Sequence, residues 1–566
     1  MKFHPLFSRN GKEKKGIIPG IFLIIFCLIL LTASGLLAQS IPKSSYWVQL
    51  KDKKGTLYQI SKPEVFLSQR AISRRVRQHI PVDETDLPIS TVYLDSLKKR
   101  GLEIVHTSKW LNGITVRTAD TALIRKIGKL PFVSLVQLTK PASVLKSGFN
   151  KFGNEESAII YDPANYGTAI GQLTLMNGQY LHQQGFRGKG IQIAILDAGF
   201  WHVNSITAFD SLRNTGRILG TRDFVDPLSD IYQQHSHGMS VLSCMGGNLP
   251  GKLIGTAPDA SFYLFRSEDA ATEYLIEEDN WVAAAELADS LGVDVINSSL
   301  GYNLFDDPSM NHSYSDMNGK KTRITQGANM AFRKGILVFT SAGNEGTNSW
   351  KRIIAPSDGE NVIGVAAVDK NGIRASFSSV GPAFGGAIKP NVAAVGWSTY
   401  LVTGSGVLGF SSGTSFSSPV LTGMGACLLQ ANPYANVKQV KMAIEQSASQ
   451  FMKPDSLLGF GIPDFEKADK YLKINLSKEL KQNGSWEIAP NPFHESIFIR
   501  NLKSGLGESC LIGIYNLQGI CLWQSFFSTS AAIMLNDLAV LPEGFLVLSI
   551  CSGGKEERFK LIKTSR

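Results

Sequence analysis

Cysteine is scarce in this chain of 566 residues. The six cysteines are scattered along it, and no cysteine and histidine have the spacing of a zinc site. Cys510, Cys521 and Cys551 fall in the last segment, one too many to pair among themselves. Cys244 and Cys427 lie in predicted buried helices, where a small apolar side chain packs well. The chain is therefore not built on a disulfide framework.

Most of the chain also lacks a basic surface. Residues 1–150 hold 24 Lys and Arg against 9 Asp and Glu, a surplus of 15. Since the formal net charge is +10, the other residues carry a net charge of −5. No nucleic-acid partner is therefore expected. A dinucleotide site is excluded as well, because Gly188 and Gly190 precede a predicted strand and no third glycine follows at the required step.

The N-terminus has the layout of a secretory signal peptide. Three lysines within residues 12–15 precede an apolar run over residues 17–31, and small residues follow. We expect a signal peptide over residues 1–38, cleaved after Ala38, with cleavage after Gly35 as the alternative. An uncleaved membrane anchor also stays open, since the run is nearly long enough to span a bilayer. The protein is expected to be secreted or held at the cell surface.

Residues 45–140 predict a small α+β domain. The pattern runs strand, helix, strand, strand, helix, strand, which is typical of a ferredoxin-like fold. It contains no cluster that resembles a catalytic site, so a pro-domain is the preferred interpretation and an independent binding module the alternative. Residues 140–165 are polar and weakly patterned, and they predict a linker that is processed.

The centre of the chain, residues 160–475, predicts a doubly wound α/β domain with a mostly parallel sheet. Residues 190–199 form a near-continuous aliphatic run, as in a strand that is buried on both faces. Further strands at 293–297 and 335–339 alternate with the helical segments 281–291 and 325–334. Functional groups gather at the carboxyl ends of such strands.

The residues from Gly413 onward predict a tight turn and then a buried helix, with Ser415 at its start and Pro419 in its first turn. The unpaired N–H groups and the positive dipole end of such a helix can stabilise an oxyanion. The plain alternative is that Ser415 only caps the helix.

Three further residues can complete a site around Ser415. His237 begins a predicted helix and can remove the proton of the serine hydroxyl, while Asp197, at the end of a strand, can hold the imidazole in the right tautomer. Asn344, in a glycine turn after a strand, can donate to an oxyanion. Asp197 and Asn344 could instead serve ordinary loops and turns. A metal at His235 and His237 lacks a third ligand nearby, so no metal is assigned.

The order acid, base, nucleophile differs from that of α/β-hydrolases, which disfavours an esterase. Four segments resemble the subtilisin-like serine peptidases of the subtilase family: Ile195–Gly199, Ser236–Met239, Ser341–Gly346 and Gly413–Pro419.

The resemblance implies a triad of Asp197, His237 and Ser415 with Asn344 as the oxyanion donor. It also implies that Ser299, Leu300 and Gly301 form an edge that pairs with an extended substrate, and that residues 46–138 are an inhibitory pro-domain.

Two departures from the family pattern bear on rate and specificity: Met239-Ser240 stands where Thr-His is usual, and Phe416 where Met is usual. Many relatives bind calcium, so a structural calcium ion stays open for the acidic loop 302–323. A solvated loop is preferred, and no cofactor is expected.

Short alternating runs over residues 486–566 predict a small β-sandwich. Four motifs there resemble the C-terminal sorting domain of type IX secretion in Bacteroidetes: Pro490–Phe493, Tyr515–Gly519, Leu541–Phe545 and Lys560–Lys563. A sandwich that binds carbohydrate or protein is the alternative.

Taken together, the sequence predicts a secreted serine endopeptidase that is made as a zymogen and hydrolyses peptide bonds through an acyl-enzyme. Its expected partners are a protein or peptide substrate, its own pro-domain as an intramolecular inhibitor, and the type IX secretion machinery. The alternative from another class is a catalytically silent surface adhesion module on the same scaffold.

Overall fold

The computed structural model describes the following residues: 42–143, 151–152, 155–156, 166–433, 435–483, 486–501, 509–527, 532–552 and 555–564. The predicted signal peptide and both of its cleavage sites lie outside the described residues. Among the described helices, none combines the length and apolar character needed to cross a bilayer.

The N-terminal unit is a four-stranded antiparallel sheet with three helices, in the spatial order β2-β3-β1-β4. Alternating apolar residues of β1, among them Tyr46, Val48 and Leu50, form its core together with Leu97 of α2. Its elements are β1 (Ser44–Leu50), α1 (Gln69–Arg77), α2 (Thr91–Lys98), β2 (Glu103–Ser108), β3 (Gly113–Thr118), α3 (Thr121–Ile127) and β4 (Val133–Lys140).

Helix α1 was not predicted from the sequence. It is rich in arginine, with basic residues at 70, 74, 75 and 77, and therefore lacks the apolar stripe that indicates a packed helix. The structure shows why it forms: its buried residues are Ala71, Arg74 and Arg75, and both arginines pair with Asp289 of the next domain. This helix is fixed by charge pairing across an interface.

The central domain is built on seven parallel strands in the order β14-β13-β12-β11-β6-β10-β7. All residues of β11 to β14 are buried, because helices cover both faces. This confirms the predicted α/β fold. The sheet strands are β6 (Gln192–Asp197), β7 (Ile218–Asp223), β10 (Ser261–Arg266), β11 (Val295–Ser298), β12 (Leu337–Ser341), β13 (Ile363–Val368) and β14 (Val392–Val395).

Shorter strands flank the large sheet. They are β5 (Glu155–Glu156), β8 (Asn248–Leu249), β9 (Leu253–Ile254), β15 (Thr399–Val402) and β16 (Leu408–Ser411). β8 pairs with β9, while β16 lies between β15 and β5 in a separate antiparallel sheet.

Nine helices follow α3 in the described chain. One of them, α10, is buried over nearly its whole length. They are α4 (Ile170–Thr174), α5 (Gln179–Gln183), α6 (Asp210–Asn214), α7 (His237–Gly246), α8 (Ile276–Leu291), α9 (Arg323–Arg333), α10 (Thr414–Ala431), α11 (Val437–Gln446) and α12 (Phe465–Asn483).

Helix α8 begins five residues earlier than the sequence predicted. Its first turn holds Glu277, Glu278 and Asp279, which precede the predicted start at Trp281. All three are buried, and each pairs with a basic side chain: Lys151, His312 or Arg323. Acids in a first helical turn are also favoured by the helix dipole.

The C-terminal segment forms two antiparallel sheets around one core that includes Ile497, Ile512 and Leu548. The first sheet has the order β17-β18-β21 and the second β20-β19-β22-β23. Their strands are β17 (Trp486–Ala489), β18 (Ile497–Asn501), β19 (Cys510–Tyr515), β20 (Cys521–Phe527), β21 (Ala532–Leu535), β22 (Gly544–Ser552) and β23 (Lys555–Lys563).

A buried charge cluster joins the N-terminal unit to α8. Asp289, fully buried, accepts from Arg74 at 2.6 Å, from Arg75 at 3.0 Å and from Lys109 at 3.1 Å. Burial alone would raise the pKa of Asp289, but the three cations lower it well below its ordinary value. The carboxylate therefore stays ionised and compensates several positive charges at once.

We expect Asp289→Ala to lower the free energy of unfolding of a Ser415→Ala precursor by about 3–5 kcal/mol, because Arg74 and Lys109 lose their paired acid and Arg75 keeps only Asp86. Asp259→Ala is the matched control: it breaks the partly exposed pair with Arg187 (3.0 Å) and should cost less than about 1 kcal/mol. Urea titration of both variants measures the difference. Equal losses would show that the buried cluster does not stabilise the precursor.

Candidate active site

Asp197 is the last residue of β6 and is fully buried. Its Oδ1 accepts from Nδ1 of His237 at 2.7 Å and from the backbone N–H of Ala198 at 2.8 Å. Its Oδ2 is buried and has no hydrogen-bond partner among the described residues. Through its contact with Nδ1, the carboxylate orients the imidazole ring.

His237 is the first residue of α7 and is 6% exposed. Because Nδ1 donates to Asp197, the neutral ring presents Nε2 as an acceptor. The close approach depends on Gly238: a Cβ there would lie 2.5 Å from the carbonyl oxygen of Gly199 and 2.8 Å from Cβ of Asp197. The glycine after the histidine thus makes room for the strand end that carries the acid.

Ser415 is the second residue of α10, and two hydrogen bonds join it to Ser299. Its Oγ donates to the carbonyl of Ser299 at 3.3 Å, and its own carbonyl accepts from Oγ of Ser299 at 2.7 Å. Pro419 lies inside the helix, so its predicted position in the first turn was wrong. Since proline has no N–H to give to the carbonyl four residues earlier, the Ser299 hydroxyl supplies that missing donor.

Asn344 lies in the turn after β12. Its Oδ1 accepts from the backbone N–H of Thr414 at 2.9 Å and from the Thr414 hydroxyl at 2.9 Å. An N–H donor on one side of a side-chain amide identifies that side as the oxygen, so Nδ2 is on the other side. Nδ2 has no acceptor within the part of the chain that the structure describes, which leaves it able to donate to a ligand.

Three of these residues line one cavity of about 340 Å³: His237, Asn344 and Ser415. Asp197 lies behind the imidazole and completes the group. His237 and Ser415 share no hydrogen bond within the described ranges, because the serine hydroxyl is turned to Ser299. A gap of this kind is common before substrate binds.

The segment Ser299–Gly301 follows β11 directly. Leu300 is 5% exposed, and a Cβ on Gly301 would lie 2.6 Å from Cδ1 of Ile354. Tyr302 then pairs with Ala355. Within the described residues, no hydrogen bond reaches the backbone of Leu300 or Gly301, so this short stretch keeps free donors and acceptors.

Sequence reasoning missed two features of the cleft. His235, considered only as a metal ligand, accepts from the His237 N–H at 3.2 Å, and burial lowers its pKa to about 4. Phe152 lies over both imidazoles, with ring centroids 4.5 Å from His235 and 4.2 Å from His237. No sequence signal links residue 152 to this site, because its segment carries no pattern.

One group of three carboxylates in the described chain could hold a cation: Glu268, Glu273 and Glu277. The ammonium of Lys151 lies among them, where a metal ion would otherwise bind. In the loop considered for calcium, Asp307 caps a short helix and Asp306 accepts from the N–H of Glu273. These acids are engaged in loop structure.

Two protein-family models match parts of this chain. Residues 188–461 match the subtilase family, and residues 45–153 match the peptidase S8 propeptide domain of Bacteroidota. Subtilisin DY of Bacillus licheniformis is 29% identical over 283 residues, which is 49% of this chain and 90% of that protein. Subtilisin NAT of Bacillus subtilis subsp. natto is 27% identical over 362 residues, which is 63% of this chain and 80% of that protein.

A solved structure shares the fold. The epidermin leader peptide processing serine protease of Staphylococcus aureus matches with a TM-score of 0.52 and 17% identity, over 76% of this chain and 99% of that one. Fold and comparisons together define a serine peptidase. Its peptidase domain is that of the subtilase family, preceded by a propeptide domain, and the chain is a subtilisin-like serine peptidase.

We expect Gly238→Ala to lower kcat/KM by about 100-fold or more, because the new methyl group must push His237 away from Asp197, and misplacement by about 1 Å can cost that much. Gly171→Ala is the control, since a Cβ on Gly171 meets nothing within 4 Å. Peptide hydrolysis by the two purified variants measures the effect. Full activity of Gly238→Ala would contradict the tight fit.

Proposed function

We propose that the chain hydrolyses internal peptide bonds of proteins through an acyl-enzyme, with Ser415 as nucleophile and His237 as general base. The observation that carries the proposal is the buried contact of 2.7 Å between His237 Nδ1 and Asp197 Oδ1. It leaves Nε2 as the proton acceptor in a cavity that Ser415 also lines. A serine hydroxyl needs such a base to become a nucleophile.

In the proposed reaction, Nε2 of His237 takes the hydroxyl proton while Oγ of Ser415 bonds to the substrate carbonyl carbon. As the carbonyl oxygen becomes negatively charged, it accepts hydrogen bonds from Nδ2 of Asn344 and from the backbone N–H of Ser415, which lies in the first turn of α10. His237 then gives the proton to the leaving amine as the C–N bond breaks. A water molecule then attacks the acyl carbon and gives its proton to His237. The ester bond to Ser415 breaks, the serine oxygen regains a proton from His237, and the acid product is released.

The substrate backbone is proposed to extend along Ser299, Leu300 and Gly301. Two observations support this: the backbone groups of Leu300 and Gly301 have no partner within the described residues, and Ser299 is bonded directly to Ser415. An extended peptide that pairs with this edge would be held beside the nucleophile. Protein and peptide substrates are the ones that offer such a backbone.

The N-terminal unit is proposed to be the intramolecular inhibitor of a zymogen. Its match to a propeptide domain ends at residue 153, and Phe152 covers the imidazole of His237. A substrate cannot reach the base while that ring is in place. Calcium is compatible with this family, but no step of the proposed reaction requires a metal ion.

We expect a fluorophosphonate probe to label the processed enzyme once per chain at Ser415, and His237→Ala to abolish labelling because the base is lost. Asn344→Ala should keep the nucleophile but lower kcat by about 100- to 1000-fold, the range measured for loss of one oxyanion donor in a subtilisin. Intact-mass spectrometry and peptide hydrolysis measure both effects. An enzyme that is folded but never labelled would instead be a silent adhesion module.

We also propose that the protein is exported to the cell surface or the medium. The signal-peptide layout of residues 1–38 and the sorting-domain motifs within 486–566 support export through a type IX system. Since the C-terminal sheets have a core of their own, deleting residues 486–566 should leave a folded, probe-reactive peptidase that accumulates inside Bacteroidota cells. Undiminished export of the truncated chain, measured by immunoblot of medium and cell fractions, would refute the sorting role.

A further inference from the structure

The ammonium of Lys151 is enclosed by acidic side chains beside the active site. Its Nζ lies 2.6 Å from Oε1 of Glu268, 2.6 Å from Oε2 of Glu273 and 3.2 Å from Oε2 of Glu277. It also donates to the backbone carbonyls of Asp269 (3.0 Å) and Thr272. The Lys151 side chain is only 10% exposed, so this is a built pocket for a cation, and we call it the glutamate pocket.

The glutamate pocket holds more carboxyl groups than one ammonium can neutralise. Three carboxylates face one ammonium, and Tyr302 donates to the second oxygen of Glu268. Glu277 is fully buried, yet its Oε1 has no hydrogen-bond partner within the described residues. Burial, together with Glu268, raises the pKa of Glu273 to about 8. Without a cation in place, these acids would be destabilised by desolvation and mutual repulsion.

The position of Lys151 relates the glutamate pocket to catalysis. The next residue, Phe152, lies on the imidazole of His237 and lines the cavity with Ser415. Three residues further on, β5 pairs with β16, with Glu155 opposite Ser411. Ser411 lies only four residues before Ser415. Lys151, Phe152 and β5 therefore lie in turn beside the glutamate pocket, the base and the strand that precedes the nucleophile, as successive residues of a bound substrate would.

We propose that Glu268, Glu273 and Glu277 form a substrate subsite for a basic side chain, lysine above all, on the N-terminal side of the bond that is cut. Lys151 is the chain's own occupant of this subsite, and Lys151, Phe152 and the backbone of β5 lie where residues of a substrate would. The proposal rests on the proposed peptidase function and adds its specificity. A lysine ammonium, with three N–H donors, suits acceptors that converge from several directions.

The physical basis of the specificity is the cost of leaving buried acids unpaired. A neutral side chain of similar length would fill the space but give no donor to the carboxylates, and sites built for hydrogen bonding reject such analogues strongly. Protonation of the acids relieves part of this cost. We therefore expect a preference of about 100-fold in kcat/KM for lysine over norleucine.

The test uses the processed enzyme and two quenched fluorescent peptides that span residues 147–158, one with Lys151 and one with norleucine at that position. Wild type should prefer the lysine peptide about 100-fold, and Glu273→Gln and Glu277→Gln should each reduce the preference at least tenfold. Glu360→Gln, which removes an exposed carboxylate before β13, is the matched control and should keep the preference. Fluorophosphonate labelling of each variant confirms that it is folded.

The outcomes separate the two proposals. Equal cleavage of both peptides by wild type would overturn the subsite while supporting the peptidase. An enzyme that cleaves neither peptide and resists the probe would overturn the peptidase function itself. Each assay is repeated with calcium chloride and with EDTA: if added calcium removes the preference for lysine, the glutamate pocket is a metal site and the subsite proposal fails.

Discussion

The buried hydrogen bond between Asp197 and His237 is the constraint around which the peptidase domain is arranged. It joins the carboxyl end of a parallel strand to the first residue of a helix, so the sheet register and the start of α7 must both be correct for it to form. A glycine at 238 allows the two elements to approach. The serine is held independently, through Ser299 at the end of the neighbouring strand. The site is thus assembled from three rigid element ends, which fixes distances that loops could not hold.

The precursor is held together by charge as much as by apolar packing. Three basic residues of the N-terminal unit, Arg74, Arg75 and Lys109, pair with Asp289 of α8. Lys151 continues the same pattern at the cleft. These basic residues therefore pair with acids of the same chain, and they do not form a surface for nucleic acid. Because each buried cation needs a buried acid, the arrangement selects one docking position for the N-terminal unit over others of similar area.

Several features were predictable because their cause is local. Aliphatic runs predicted the parallel strands, and a run of apolar and small residues without a polar stripe predicted the buried helix α10. Predictions failed where the cause was distant. Helix α1 was missed because Arg74 and Arg75 pair with Asp289, an acid more than two hundred residues away. Pro419 was misplaced because the Ser415 carbonyl, which receives no N–H from this proline, accepts from the distant Ser299 hydroxyl. The start of α8 was missed because three adjacent acids are neutralised by residues from three other segments.

The sequence by itself determined the fold class and the reaction type, since the types and order of Asp197, His237, Asn344 and Ser415 belong to short motifs whose geometry is local. Only the tertiary structure decided what surrounds them: that Phe152 covers His237, and that Glu268, Glu273 and Glu277 converge on Lys151. Electrostatic and packing contacts between segments far apart in the chain depend on how the backbone brings them together. No spacing along the sequence encodes that convergence, so it could be read only from the folded molecule.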